Sequence, residues 1–181
     1  MYSFGVGEDI SFDLAVVERL GARVWAFDPT PRSIAWVQRQ RTPERWHFQP
    51  VGIADYDGTA EFVAPKDASH VSYSSVRTAT PDVSAVRAEV RRLSTIMASL
   101  GHERLDVLKM DVEGAEYAVI EDLVRSGIQV RQLLVEFHHF FPGIPASATE
   151  RAIRTLGDAG FRIFDISPGG YEYGFVRTEV S

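Results

Sequence analysis

Apolar residues in this chain recur with two alternating periods, one strand-like and one helical. "MYSFGV" (1–6) is a short β-type run. Phe12, Val16 and Leu20 then recur at every fourth position, which predicts a helix that buries those three. Ser11 is its expected cap, Asp13 lies in its first turn and Gly21 closes it. "RVWAFD" (23–28) predicts a second strand, and "TPRSIAWVQRQR" (30–41) a second helix with Thr30 as cap and Pro31 in its first turn. "WHFQPVGIAD" (46–55) is expected as one strand. Asp57-Gly58 is a turn signal that makes "TAEFV" (59–63) a hairpin strand.

Residues 66–85 lack a period and are expected as a long loop. Its Ser72, Tyr73, Ser74 and Ser75 are candidates to close over a ligand. "AVRAEVRRL" (85–93) predicts a strand and "STIMASLG" (94–101) a short helix. "LDVLKMDV" (105–112) has the apolar run of a buried strand. In "AEYAVIEDLVRSG" (115–127), Val119, Ile120, Leu123 and Val124 share one helical face. "RQLLVEFHH" (131–139) predicts a strand and "SATERAIRTLGDAG" (147–160) a helix. "FRIFDIS" and "YEYGFVRT" close the chain as two strands around a Pro-Gly-Gly turn. Strands alternating with helices predict an α/β fold, a mostly parallel sheet with helices on both faces.

Composition narrows this picture. A length of 181 residues suits one domain spanning 1–181. With 45% hydrophobic and 24% charged residues, the chain has ordinary globular composition. No apolar run reaches the ~20 residues of a membrane helix, so no membrane partner is expected. The absence of Cys excludes disulfides and thiolate metal sites and makes a cytoplasmic setting the default. A net charge of −6 argues against nucleic acid as a partner. The first strand starts almost at Met1, so the domain is expected to be N-terminally short.

Two stretches carry chemistry. In "GVGED", Gly5 and Gly7 follow the first strand where open α/β sheets bind ligands. Asp28 ends the second strand, where an acid commonly accepts a ribose diol. A dinucleotide loop wants a third glycine, but Ile10 stands there. Glu8 and Asp9 would repel a pyrophosphate and attract a cation such as a sulfonium or an ammonium. Further on, "LKMDVEGAE" delivers Lys109, Asp111 and Glu113 at alternating positions, which predicts three charges on one face at a strand end. At the next strand end, Glu136 and His138 fall on one face. Asp111, Glu136 and His138 make a weak divalent-metal set; a metal-free base or packing role for His138 is favoured.

In this order, "GVGEDISFD", "AFDPTP", "LKMDVEGAE" and "LLVEFHH" resemble the FkbM-type S-adenosylmethionine-dependent methyltransferases, over roughly residues 2–139. The first loop departs from the family's usual D-V-G-A-N-I-G, and Asp28 replaces a commoner Glu, so the chain resembles a divergent branch. The resemblance implies a class I methyltransferase (Rossmann-like) three-layer sandwich with an antiparallel C-terminal strand. It also implies methylation of a hydroxyl on a sugar or natural-product small molecule, with S-adenosylmethionine as cofactor. Carried over by position, Phe4, Gly5, Val6, Gly7, Glu8 and Asp9 would line the methionine and ribose part of the cofactor. Asp28 would hold the ribose hydroxyls, flanked by Phe27 and Pro29, and Gly52 and Ile53 would flank the adenine. Asp111 would lie near the methyl group and serve catalysis together with His138 and Lys109. The alternatives are a non-catalytic nucleotide-binding or interaction module and, more weakly, a dehydrogenase.

Overall fold

A computed structural model describes residues 1–63 and 85–178. In chain order the elements are β1 (Tyr2–Phe4), α1 (Ser11–Leu20), β2 (Val24–Phe27), α2 (Pro31–Val37), β3 (Trp46–Gln49), β4 (Gly52–Ile53) and β5 (Gly58–Val63). There follow β6 (Ala85–Arg91), α3 (Leu93–Leu100), β7 (Arg104–Met110), α4 (Glu116–Arg125), β8 (Gln129–Glu136), α5 (Ala146–Asp158), β9 (Phe161–Ile166) and β10 (Glu172–Arg177). The expected 66–85 loop, with Ser72 to Ser75, lies outside the described residues except for Ala85, which opens β6. Among the described residues, no helix is long and apolar enough to cross a membrane.

Seven strands form the main sheet in the order β3-β2-β1-β7-β8-β10-β9. All pairings are parallel except the two made by β10, which is antiparallel to both neighbours. The antiparallel C-terminal strand expected from the sequence is therefore β10, inserted between β8 and β9. Strand alternation sends Tyr2, Phe4, Phe27, Leu108, Met110 and Leu133 to one face, where they pack on α3, α4 and α5. Val24, Ala26 and Trp46 belong to a second cluster, with Val17 of α1 and Val37 of α2. The helices thus cover both faces, and Val119, Ile120 and Leu123 are buried on α4 as its periodicity predicts.

Three local expectations change. The stretch 46–55 is two strands in different sheets. Pro50 offers no N–H to continue a ladder, and the chain folds there with Val51 N–H donating to the Gln49 carbonyl at 2.9 Å. The Asp57-Gly58 turn does not make a hairpin with the strand before it. β4 and β5 flank β6 on opposite sides in a small three-stranded sheet. Finally, α1 is rotated from its expected phase: Phe12 and Leu20 are exposed, while Asp13 and Val17 face inward. The reason is polar. The buried Asp13 carboxylate accepts the Trp46 indole N–H at 3.0 Å. Ser11 does not cap α1 either; its N–H is accepted by Asp9 Oδ1 at 2.7 Å.

Candidate active site

The sheet changes its direction of growth between β1 and β7, so the loops after these strands part at their carboxyl ends. The opening is a cleft of about 1010 Å³. Its floor is made by the loops 5–9 and 111–115, and one side is closed by Phe62 and Arg87 of the small sheet and by Tyr56 of the β4–β5 connection. The loop after β1 turns with Gly5 at φ +86° and Gly7 at +55°. A Cβ on Gly5 would stand 1.9 Å from the Asp111 carbonyl oxygen, so the two floor loops touch where glycine stands. Two backbone bonds fix them: Gly5 N–H to the Phe27 carbonyl and Asp111 N–H to the Phe4 carbonyl, each 3.0 Å.

Asp28 is the clamp of this floor. Its Oδ2 accepts the N–H groups of Val6 and Gly7, each at 3.0 Å, and its Oδ1 accepts the N–H and hydroxyl of Thr30 at 2.9 and 2.6 Å. A carboxylate offers about four acceptor positions, and here the protein fills them. Asp28 borders the cleft as expected for a cofactor-side residue, and its carboxylate also holds the glycine loop. Glu8 pairs with Arg32 at 2.9 Å, and this bond is the main cause holding the Glu8 carboxyl below its usual range. Phe4, Val6, Asp9, Phe27, Pro29, Gly52 and Ile53 also line the same cleft.

The strand expected to carry three charges on one face ends at Met110. Glu113 then takes φ +53° and Gly114 φ +103°. This turn swings Glu113 toward β8. Lys109 stays beside Asp111 but not Glu113: its Nζ donates to the Gly5 carbonyl at 3.4 Å, and it lines a second cavity of about 270 Å³ with Asp111 and Glu136. His138, 2% exposed, sits below the rim. Its Nε2 lies 3.3 Å from Glu113 Oε2 and 3.6 Å from Asp111 Oδ1. Behind it, fully buried Glu116 accepts the His138 backbone N–H at 2.8 Å and faces Nδ1 at 3.3 Å. The other Glu116 oxygen accepts Gly114 N–H at 2.8 Å.

Burial pushes the Asp111 carboxyl up, opposed by Lys109 and His138 and aided by Glu116 and Asp28. Burial likewise raises Glu136, with Asp111 adding to it. At His138 burial favours the neutral ring, but the Glu116 bond and the charges of Glu116, Glu113 and Asp111 outweigh it and raise the imidazolium above its ordinary value. His139 turns away and meets Thr149 of α5 at 3.2 Å. Sequence reasoning missed Glu116 and Arg32. An acid in the first turn of the helix after "VEGA" was the available signal for Glu116; nothing in the local pattern marks Arg32.

Residues 4–163 match the family model described as the methyltransferase FkbM domain. The probable methyltransferase-like protein 24 of Rattus norvegicus is 31% identical over 156 residues, covering 84% of this chain and 36% of that protein. The Homo sapiens protein of the same description is 27% identical over 175 residues, covering 91% and 41%. The AMB antimetabolite synthetase AmbE of Pseudomonas aeruginosa is 35% identical over 80 residues, 44% of this chain and 4% of that one. The chain therefore spans 36% and 41% of the length of the two methyltransferase-like relatives. Among solved structures, the Methanococcus jannaschii fibrillarin pre-rRNA processing protein matches with a TM-score of 0.54 and 11% identity. The match covers 97% of this chain and 65% of that one. This likeness shows the fold, the class I methyltransferase sandwich expected from the sequence.

Proposed function

The chain belongs to the FkbM methyltransferase family, and from that premise we propose that it methylates a hydroxyl of a sugar or natural-product small molecule with S-adenosylmethionine. The observation that carries this reading is the acid-lined cleft at the sheet's switch point, with Asp111 at the meeting of its two floor loops. The donor set suits a cationic cofactor. Asp9, Asp111 and Glu113 border the cleft, and carboxylates attract a sulfonium and an ammonium where a pyrophosphate would be repelled. The glycine loop presents backbone without Cβ to the same space.

When bound, this cofactor supplies a methyl group already activated by its positive sulfur. The chain's residues then have three tasks. The 5–9 loop, clamped by Asp28, would hold the methionine and ribose part, with Gly52 and Ile53 beside the adenine. The small sheet with its Phe62, together with Tyr56, walls the cleft against water, which strengthens the electrostatics inside. Asp111 orients the acceptor hydroxyl, a positioning effect that in general contributes several kcal/mol to the barrier. The net charge of −6 and the acidic floor favour a small-molecule acceptor over RNA.

The test is calorimetric titration with S-adenosylhomocysteine, followed by methyl transfer to a panel of carbohydrates and small hydroxylated compounds. Micromolar binding that Gly7→Val weakens at least tenfold is expected, together with transfer to a member of the panel. A well-folded chain that binds no S-adenosylhomocysteine refutes the reading. A chain that binds it but passes methyl to no acceptor supports the non-catalytic module instead.

A further inference from the structure

We propose that Asp111, Glu113 and His138 form a site for one divalent transition-metal cation, of which Mn²⁺ and Zn²⁺ suit the donor set. One ligand atom from each lies within 4.8 Å of the others. The two contacts of Nε2, 3.3 Å to Glu113 and 3.6 Å to Asp111, are close to what a shared ion imposes. Donors about 2.1 Å from one metal and about 90–110° apart sit roughly 3.0–3.4 Å from each other. A slight rotation of the partly buried Asp111 side chain brings the third oxygen in.

The decisive feature is behind the ring. His138 is 2% exposed and cannot swing out to water. Glu116, fully buried, faces Nδ1 at 3.3 Å and fixes the ring through the His138 backbone N–H at 2.8 Å. A carboxylate behind the far ring nitrogen is the arrangement that sets the tautomer of metal-bound histidines. A cation would take the place of the Nε2 proton, with the Nδ1 proton kept toward Glu116, so that Nε2 and one oxygen each of Asp111 and Glu113 converge on the ion. Two carboxylates and one imidazole suit Mn²⁺ or Zn²⁺ better than Mg²⁺ or Ca²⁺, which prefer all-oxygen sets.

The set differs from the weak one read from the sequence by a single member, Glu113 in place of Glu136. The backbone explains the exchange: Glu113 is the one non-glycine among the described residues with positive φ, and this turn aims it at His138. Asp111 and Glu113 also border the cleft, so the remaining coordination positions open toward the acceptor. A hydroxyl bound there would be acidified by the ion. That use rests on the methyl-transfer reading; the cation site itself does not.

The experiment is titration of the metal-stripped chain with Mn²⁺ alone, followed by the loss of the free-ion electron paramagnetic resonance signal, with no methyl donor present. One ion per chain at micromolar affinity is expected. Glu113→Gln, in the turn after β7, should weaken it at least tenfold, and Asp111→Asn likewise. Glu136→Gln should change it less than threefold, and circular dichroism melts confirm that each variant folds. No saturable Mn²⁺ binding to the wild-type chain overturns the site, as does binding that survives Glu113→Gln or is lost equally in Glu136→Gln. A chain that binds Mn²⁺ but no S-adenosylhomocysteine upholds the site while refuting the methyl-transfer reading.

Discussion

Gly5 sets a tight tolerance in the cleft floor. Its φ of +86° is strained for any L side chain, and its missing Cβ leaves room for the Asp111 carbonyl 1.9 Å from where that carbon would be. Gly5→Ala must therefore push the two floor loops apart. The expected outcome is a lower melting temperature and at least tenfold weaker S-adenosylhomocysteine binding, read by thermal melts and calorimetry. A fully stable alanine variant would contradict the loop contact. Asp111 is tested from the chemical side. Asp111→Asn keeps the side-chain shape and removes the charge. Turnover should fall by about 10²–10⁴, the usual worth of a group acting on a transferred proton or its carrier, while S-adenosylhomocysteine affinity changes little. Single-turnover rates beside binding isotherms separate the two. The residue types in "KMDVEGAE" made this cluster legible in the chain. The role of Glu116, the last residue of that stretch, was not, because it acts from a helix turn whose orientation depends on the Glu113–Gly114 backbone.

Among the elements, α1 shows how a polar contact overrides an apolar period. Its every-fourth-residue pattern places Phe12 and Leu20 inside, yet both are exposed, because Asp13 turns inward to Trp46 of β3. Burial raises the Asp13 carboxyl above its usual value, against the opposing bonds of Trp46 and Ser3 and the charge of Lys109. A raised folded value means that the fold holds more protons than the unfolded chain between the two pKa values. Stability from this group therefore falls as pH rises from the ordinary Asp value through the folded one. Asp13→Asn keeps an acceptor for the indole and removes that fall, so its melting temperature should gain on wild type as pH rises above ~4. Asp13→Ala should instead cost about 1–3 kcal/mol at all pH values, because it strands a buried N–H. Denaturant melts of the three proteins between pH 4 and 7 decide this, and parallel curves for wild type and the Asn variant would refute the buried charge. The strand stretch 46–55 teaches the same lesson differently. It reads as one strand, but Pro50 breaks the ladder, and the second half joins another sheet.

As a whole, the molecule is a mostly parallel sheet whose acidic cleft opens where its growth reverses. Nonspecific nucleic-acid binding rests on neutralising phosphates, and a chain of net charge −6 does so poorly. No gel shift of single-stranded or structured RNA is expected at ~0.15 M salt with micromolar protein, where the Debye length is about 8 Å. A salt-resistant shift would redirect the acceptor search to RNA. By itself the sequence determined the alternation of strands and helices, the glycine loop after the first strand and the two acids that follow it. These are local properties, written in period and in residue type. Only the tertiary structure decided that the Asp28 carboxylate accepts from the glycine loop, that α1 turns a charge inward, and that Glu113 rather than Glu136 meets His138. Each of these depends on where a side chain points once its strand has ended. That direction is set by the backbone angles of a turn and by partners far away in the chain, which no local pattern records.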